Sequence, residues 1–269
     1  MNADILLYKE LIDFCNKNRA IIETKFKRTL EFSDFNKVCY EEIFLKNRYA
    51  LNPPTVKQLK ETIPGLTEAY KKNCSFFMNK RNESIKGLDI QKGQWYEKAL
   101  QMFLETKGYK AYKKGSPFPD YEVTANGKTI AYYELKYIES PFITANTKIK
   151  DTYPYASCRF DYEASLTLDT GEKLERQRNK IESDLLPTGM PVHYIWWFDC
   201  FHIKGIFAMA AKDVFDYHDH LSGDLLVRKQ RGGDLIAHQE LGKIYPPLLN
   251  MITFSELLNN YGTQILYNK

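Results

Sequence analysis

The feature that most constrains this chain lies between Asp120 and Ile138. Asp120 to Thr124 and Lys128 to Ile138 are rich in β-branched and aromatic residues and read as strands. Ala125-Asn126-Gly127 between them is a hairpin signal, because Asn and Gly tolerate positive φ. Successive strand residues alternate faces, so Glu134 and Lys136 share one side while Leu135 takes the other. Charges in a run as apolar as Ile130-Ala131-Tyr132-Tyr133 are costly on a covered face unless they are paired or liganded.

A divalent cation supplies the reason. Asp120 and Glu134 would be hard oxygen ligands of the kind Mg2+ prefers, and the Leu135 carbonyl would add another. Lys136 would sit beside the attacking water, orient it and offset phosphate charge. The hairpin register tests this. With Asn126-Gly127 as a two-residue loop, Asp120 opposes Tyr133 and points to the wrong face. With Ala125-Asn126-Gly127 as a three-residue loop, Asp120 opposes Tyr132 and shares a face with Glu134, since a one-residue slip flips every side chain. The three-residue loop is expected; a bulge near Pro119 would rescue the other register.

The flanks give the architecture. Residues 1–88 read as helical, with apolar positions at helical spacing and a new start at Thr55 after Pro53-Pro54. From Gly93, Trp95, Tyr96, Ala99, Leu100, Phe103 and Leu104 form the stripe of a helix that stops at Gly108. Glu97 falls at the edge of that stripe, where a carboxylate can lean over the rim of a sheet. A short strand, Tyr109 to Lys113, precedes the hairpin. Asp169 with Glu172 resembles a capping box opening a helix to about 186, ended by Pro187 and Gly189. On it, Arg176, Gln177 and Lys180 read as a solvated side with local ion pairs. Val192 to Asp199 and Ile203 to Ala211 are two more strands, with Trp196-Trp197 core on one face and partly exposed on the other. The chain closes with helical Phe254 to Asn260. The expected class is α/β: an α-β-β-β-α-β core continued by one more strand, a mixed central sheet, and an added helical region at 1–88 before a core spanning 89–269.

The string Pro119-Asp120, then Glu134-Leu135-Lys136, on a hairpin preceded by a helix bearing Glu97, resembles the PD-(D/E)xK nuclease superfamily, and more narrowly type II restriction endonucleases. The resemblance covers roughly residues 93 to 211 by element order. It implies a restriction-endonuclease-like fold that binds Mg2+ and hydrolyses DNA phosphodiesters to 5′-phosphate and 3′-hydroxyl ends. It implies Asp120 and Glu134 as metal ligands, Lys136 as the catalytic lysine and Glu97 as the auxiliary acidic residue. A Gln or Lys on the later helix supports the site in some members.

Double-stranded DNA is the implied partner. Arg228, Lys229 and Arg231, in a Gly-flanked basic segment, are candidates for base edges, since Arg addresses guanine O6 and N7. Asn146, Lys148, Lys150 and Tyr153 follow the catalytic strand and are candidates for the phosphate backbone. A homodimer is expected for a palindromic site. Competing readings are a structure-selective repair or junction nuclease of the same fold and a non-catalytic DNA-binding protein. The net charge of +4 is too small to argue for nucleic acid alone. Five scattered cysteines without a C-x-x-C pair argue against a zinc or disulfide framework. With no apolar run of signal-peptide or membrane-spanning length, a cytoplasmic protein is expected. His218-Asp219-His220 with Asp216 reads as a polar loop, since no third metal ligand accompanies it.

Overall fold

A computed structural model describes residues 2–22, 29–71, 88–139, 168–220, 226–228 and 241–267. Its centre is a six-stranded mixed sheet in the order β1-β2-β3-β5-β6-β9. The strands are β1 (Lys110–Lys113), β2 (Tyr121–Ala125), β3 (Lys128–Ile138), β5 (Val192–Asp199), β6 (Lys204–Ala210) and β9 (Ile252–Thr253). Among the described strands only β3 and β5 run parallel; the other pairs of this sheet are antiparallel. A small second sheet pairs β4 (Leu168–Asp169), β8 (Leu241–Ile244) and β7 (Leu226–Arg228). The helix, three strands, helix and two strands expected from residue 93 onward are all present, and the fold is mixed α/β.

The sheet is covered on both sides. One face, with Tyr133, Leu135, Ile195 and Trp197, packs under α1 (Ala3–Lys17), α5 (Leu88–Thr106) and α8 (Phe254–Tyr267). The other, with Tyr194, Trp196 and Phe198, packs under α3 (Asp34–Cys39) and its π-helical continuation Tyr40–Leu45, α4 (Val56–Thr62), α6 (Glu172–Lys180) and α7 (Ala211–His220). The short α2 (Arg19–Ile22) follows α1. The continuous apolar run of β5 is what a strand buried on both faces requires. Trp196 and Trp197 are accordingly both fully buried, correcting the expectation that one would be partly exposed.

Among the described residues, the N-terminal helices build no core of their own. Tyr8 of α1 donates to the Phe198 carbonyl and accepts from the Trp197 indole, and Arg48 pairs with Glu256. The helix start at Thr55 is as read, with a Thr55–Gln58 capping box. The start of α6 is not. Its N-cap is Gly171, which offers no side chain, and Asp169 instead pairs with Lys243 in the small sheet. The segment taken for a polar loop around His218 is α7, where Asp219 receives both guanidinium nitrogens of Arg178 at 2.6 and 2.8 Å. The closing helix runs to Tyr267, beyond the expected Asn260.

The hairpin between β2 and β3 departs from expectation in an informative way. Ala125 faces Lys128, so the loop is the two-residue Asn126-Gly127, with φ of 51° and 77°. Two positive φ values match the right-handed twist of the strands in a two-residue turn. The three-residue loop is therefore wrong. The register then slips: Thr124 faces Thr129 but Val123 faces Ala131, which leaves Ile130 as the extra residue of a bulge. Beyond it Tyr121 faces Tyr133, and Asp120 comes opposite Glu134. The rescue lies in β3, not near Pro119, and it restores the shared face.

Candidate active site

The site forms where β2 and β3 part. Pairing between them stops at Tyr121–Tyr133, while β3 continues beside β5 as far as Ile138. At the opening, the Asp120 N–H meets a carboxylate instead of a strand carbonyl, donating to Glu134 Oε2 at 3.0 Å. Glu134 and Lys136 lie on the face covered by α6, and Leu135 is buried on the other.

Glu134 is 1% exposed. A carboxylate buried this far needs partners on every side, and it has them. Lys136 Nζ and Lys173 Nζ each donate to Oε1 at 2.8 Å. Gln177 Nε2 donates to Oε2 at 2.9 Å, and Tyr194 OH donates to Gln177 Oε1 at 3.2 Å, fixing which end of the amide faces the carboxylate. Burial alone would push the Glu134 carboxyl up, but the two ammonium groups outweigh it and hold it near 2. Asp120 is compensated only in part, because the charges of Lys136 and Lys173 do not outweigh what raises it. Burial, and next the negative charge of Glu134, push its carboxyl up to about 7.

Crowded carboxylates of this kind fit a divalent cation. Two carboxylates suit Mg2+, which takes one or two carboxylates and leaves its other positions to water and substrate phosphate. Among the described residues there is no group of three or more His, Cys, Asp or Glu side chains placed to hold a metal, so a cation here would have two side-chain ligands, Asp120 and Glu134.

The other expected residues fall differently. Glu97 hydrogen-bonds Lys113 Nζ at 2.6 Å and the Tyr121 hydroxyl at 3.2 Å, and α5 lies across the sheet from α6. The structure does not bring its carboxylate to those of Asp120 and Glu134, although its charge reaches Lys173. Arg228 ends β7, its backbone paired with Leu241. Asn146, Lys148, Lys150, Tyr153, Lys229 and Arg231 lie outside the described residues. Two residues were misjudged. Gln177 is buried, not solvated, and Lys173 was not singled out. Arg176 and Lys180 do carry the expected local ion pairs, with Glu172 and Asp184. The missed signal is that Gln177 interrupts an apolar stripe, Leu174, Ile181 and Leu185, all buried.

No protein-family model matches the chain, and no curated protein matches it. Among solved structures, the chain is similar to Hjc, a Holliday junction resolvase from Archaeoglobus fulgidus. The likeness has 12% identity and a TM-score of 0.34, and covers 62% of this chain and 96% of that one. The class that the fold itself defines is a mixed α/β protein with a buried carboxylate–lysine cluster at the parting of a hairpin. No helix among the described residues is long and apolar enough to cross a membrane.

Proposed function

We propose that this chain is a Mg2+-dependent nuclease acting on double-stranded DNA, and within that class a sequence-specific endonuclease. The observation that carries the reading is the buried Glu134, facing Asp120 across the opened hairpin with Lys136 on the same face. Mg2+, when bound, would supply Lewis-acid polarisation of the phosphate and acidification of water.

The chain's own groups do the rest. Asp120, Glu134 and the Leu135 carbonyl would hold the cation. Gln177 and the Asp120 N–H fix the Glu134 carboxylate so that it does not reorganise during reaction. The Lys136 ammonium, partly exposed and bonded to Glu134, would orient the attacking water and offset charge on the phosphate. Water oxygen forms the new bond to phosphorus, the P–O3′ bond breaks, and the leaving 3′-oxygen takes up a proton. Sequence specificity, a homodimer and base contacts from Arg228, Lys229 and Arg231 belong to the same proposal and rest on the resemblance.

The test is incubation of the purified protein with mixed-sequence plasmid DNA, with Mg2+ and with EDTA, alongside Lys136→Ala. Discrete Mg2+-dependent fragments are expected, with the rate falling at least about 100-fold in Lys136→Ala. Nicking or smearing lost in that variant would move the reading to a structure-selective nuclease. DNA left intact in every lane, methylated and unmethylated alike, would overturn the catalytic reading.

A further inference from the structure

A carboxylate offers about four acceptor directions, two on each oxygen. In Glu134 four donors use them: Lys136 and Lys173 on Oε1, Gln177 and the Asp120 N–H on Oε2. A cation cannot reach this carboxylate until one donor leaves.

The four are not equally free to go. The Asp120 N–H is backbone at the end of a strand ladder. Gln177 is 3% exposed and pinned by Tyr194. Lys136 extends from the same strand as Glu134, two residues on, with its side chain 28% exposed. Lys173 comes from the first turn of α6 and its side chain is 54% exposed, which gives it the shortest way into solvent of the three side-chain donors.

We infer that Lys173 is a placeholder cation: its ammonium occupies the divalent-cation position on Glu134 and is exchanged for the metal when the site is loaded. The inference rests on the metal-site reading above and goes beyond it. Lys173 keeps a buried carboxylate neutralised in the metal-free protein and, as a positioning residue, sets a threshold for cation binding. Without it the metal-free protein keeps a less satisfied Glu134, and a cation competes with one ammonium fewer.

The experiment is titration of the full chain with Mn2+ alone, without DNA, read by calorimetry and by the paramagnetic resonance of free Mn2+. Lys173→Met is expected to bind Mn2+ roughly tenfold more tightly than wild type, the equivalent of removing one competing charged hydrogen bond. Lys173→Arg, which retains a donor, is expected to match wild type. If Lys173→Met does not fold, Lys173→Leu takes its place. A merely structural lysine would weaken binding or leave it unchanged, and either result overturns the placeholder role. So does tightening in Lys136→Met but not in Lys173→Met. Asp120→Asn separates the two levels. If wild type binds Mn2+, Asp120→Asn abolishes binding and Lys173→Met changes nothing, the metal site stands and the placeholder falls. If no variant binds Mn2+, or Asp120→Asn binds as well as wild type, the metal site falls and takes the placeholder with it.

Discussion

At the scale of single residues, the chain concentrates unusual energetics on one carboxylate. Glu134 is stable as an ion only because each donor around it is present, and Gln177 is the donor with least freedom to adjust. Gln177→Met keeps the volume but removes a charge-assisted hydrogen bond and strands the Tyr194 hydroxyl. The metal-free protein is expected to lose about 1.5–3 kcal/mol, measured as a shift in the urea midpoint. Tyr194→Phe should cost less, and the double variant less than the sum, since both remove one chain of bonds. Additive losses would show that the two residues do not act through one another. The carboxylates and Lys136 were legible because strand alternation is strict: Glu134 and Lys136 must share a face whatever surrounds them. Gln177 and Lys173 were not. Their role depends on which side of α6 meets the sheet, and the many charges of that helix surround a single apolar residue, Leu174.

At the scale of elements, the β2–β3 hairpin shows how far local rules reach. The strand pair and its Asn-Gly turn were legible, as was the need for Asp120 and Glu134 to share a face. The device that achieves it was not, because a bulge at Ile130 is offset by tertiary packing, with Ile130 and Ala131 both buried in the core on one face of the sheet. Nothing in the local sequence distinguishes that bulge from a longer loop. The turn makes a clean prediction. Gly127 sits at φ of 77°, and a Cβ added there would meet nothing within 4 Å, so the cost of Gly127→Ala is that of backbone conformation alone. A loss of about 1–2 kcal/mol is expected. Gly93, inside α5 and equally open, is the control with opposite sign: Gly93→Ala should gain about 0.5–1 kcal/mol. Urea unfolding of both variants at neutral pH checks the pair, and a neutral Gly127→Ala would remove the two-residue turn from the account.

At the scale of the whole molecule, a sheet buried on both faces leaves its histidines no water. His193 on β5 is 5% exposed and His202, in the loop after β5 and packed at a tilt against Tyr70, is 1% exposed. Burial lowers His193 to about 4 and His202 to about 3, the latter helped by the charge of Lys60. An unfolded histidine titrates near 6.5. Between about pH 6.5 and the folded value, the unfolded chain therefore binds protons that the folded chain refuses, and stability falls as pH falls. Asp120, held high, works in the opposite direction in the same window and offsets part of the loss. The wild-type curve alone is thus a poor readout, and the difference between two proteins is a good one. His193→Leu removes one histidine and leaves Asp120 and His202 in place. Relative to wild type, it should gain about 2 kcal/mol between pH 7.5 and pH 5, since each pH unit below 6.5 is worth about 1.4 kcal/mol for one buried neutral histidine. Urea midpoints at pH 7.5, 6 and 5 measure it. Parallel curves for the two proteins would mean that His193 accepts a proton in the folded state, and that this end of β5 is wetter than its packing indicates.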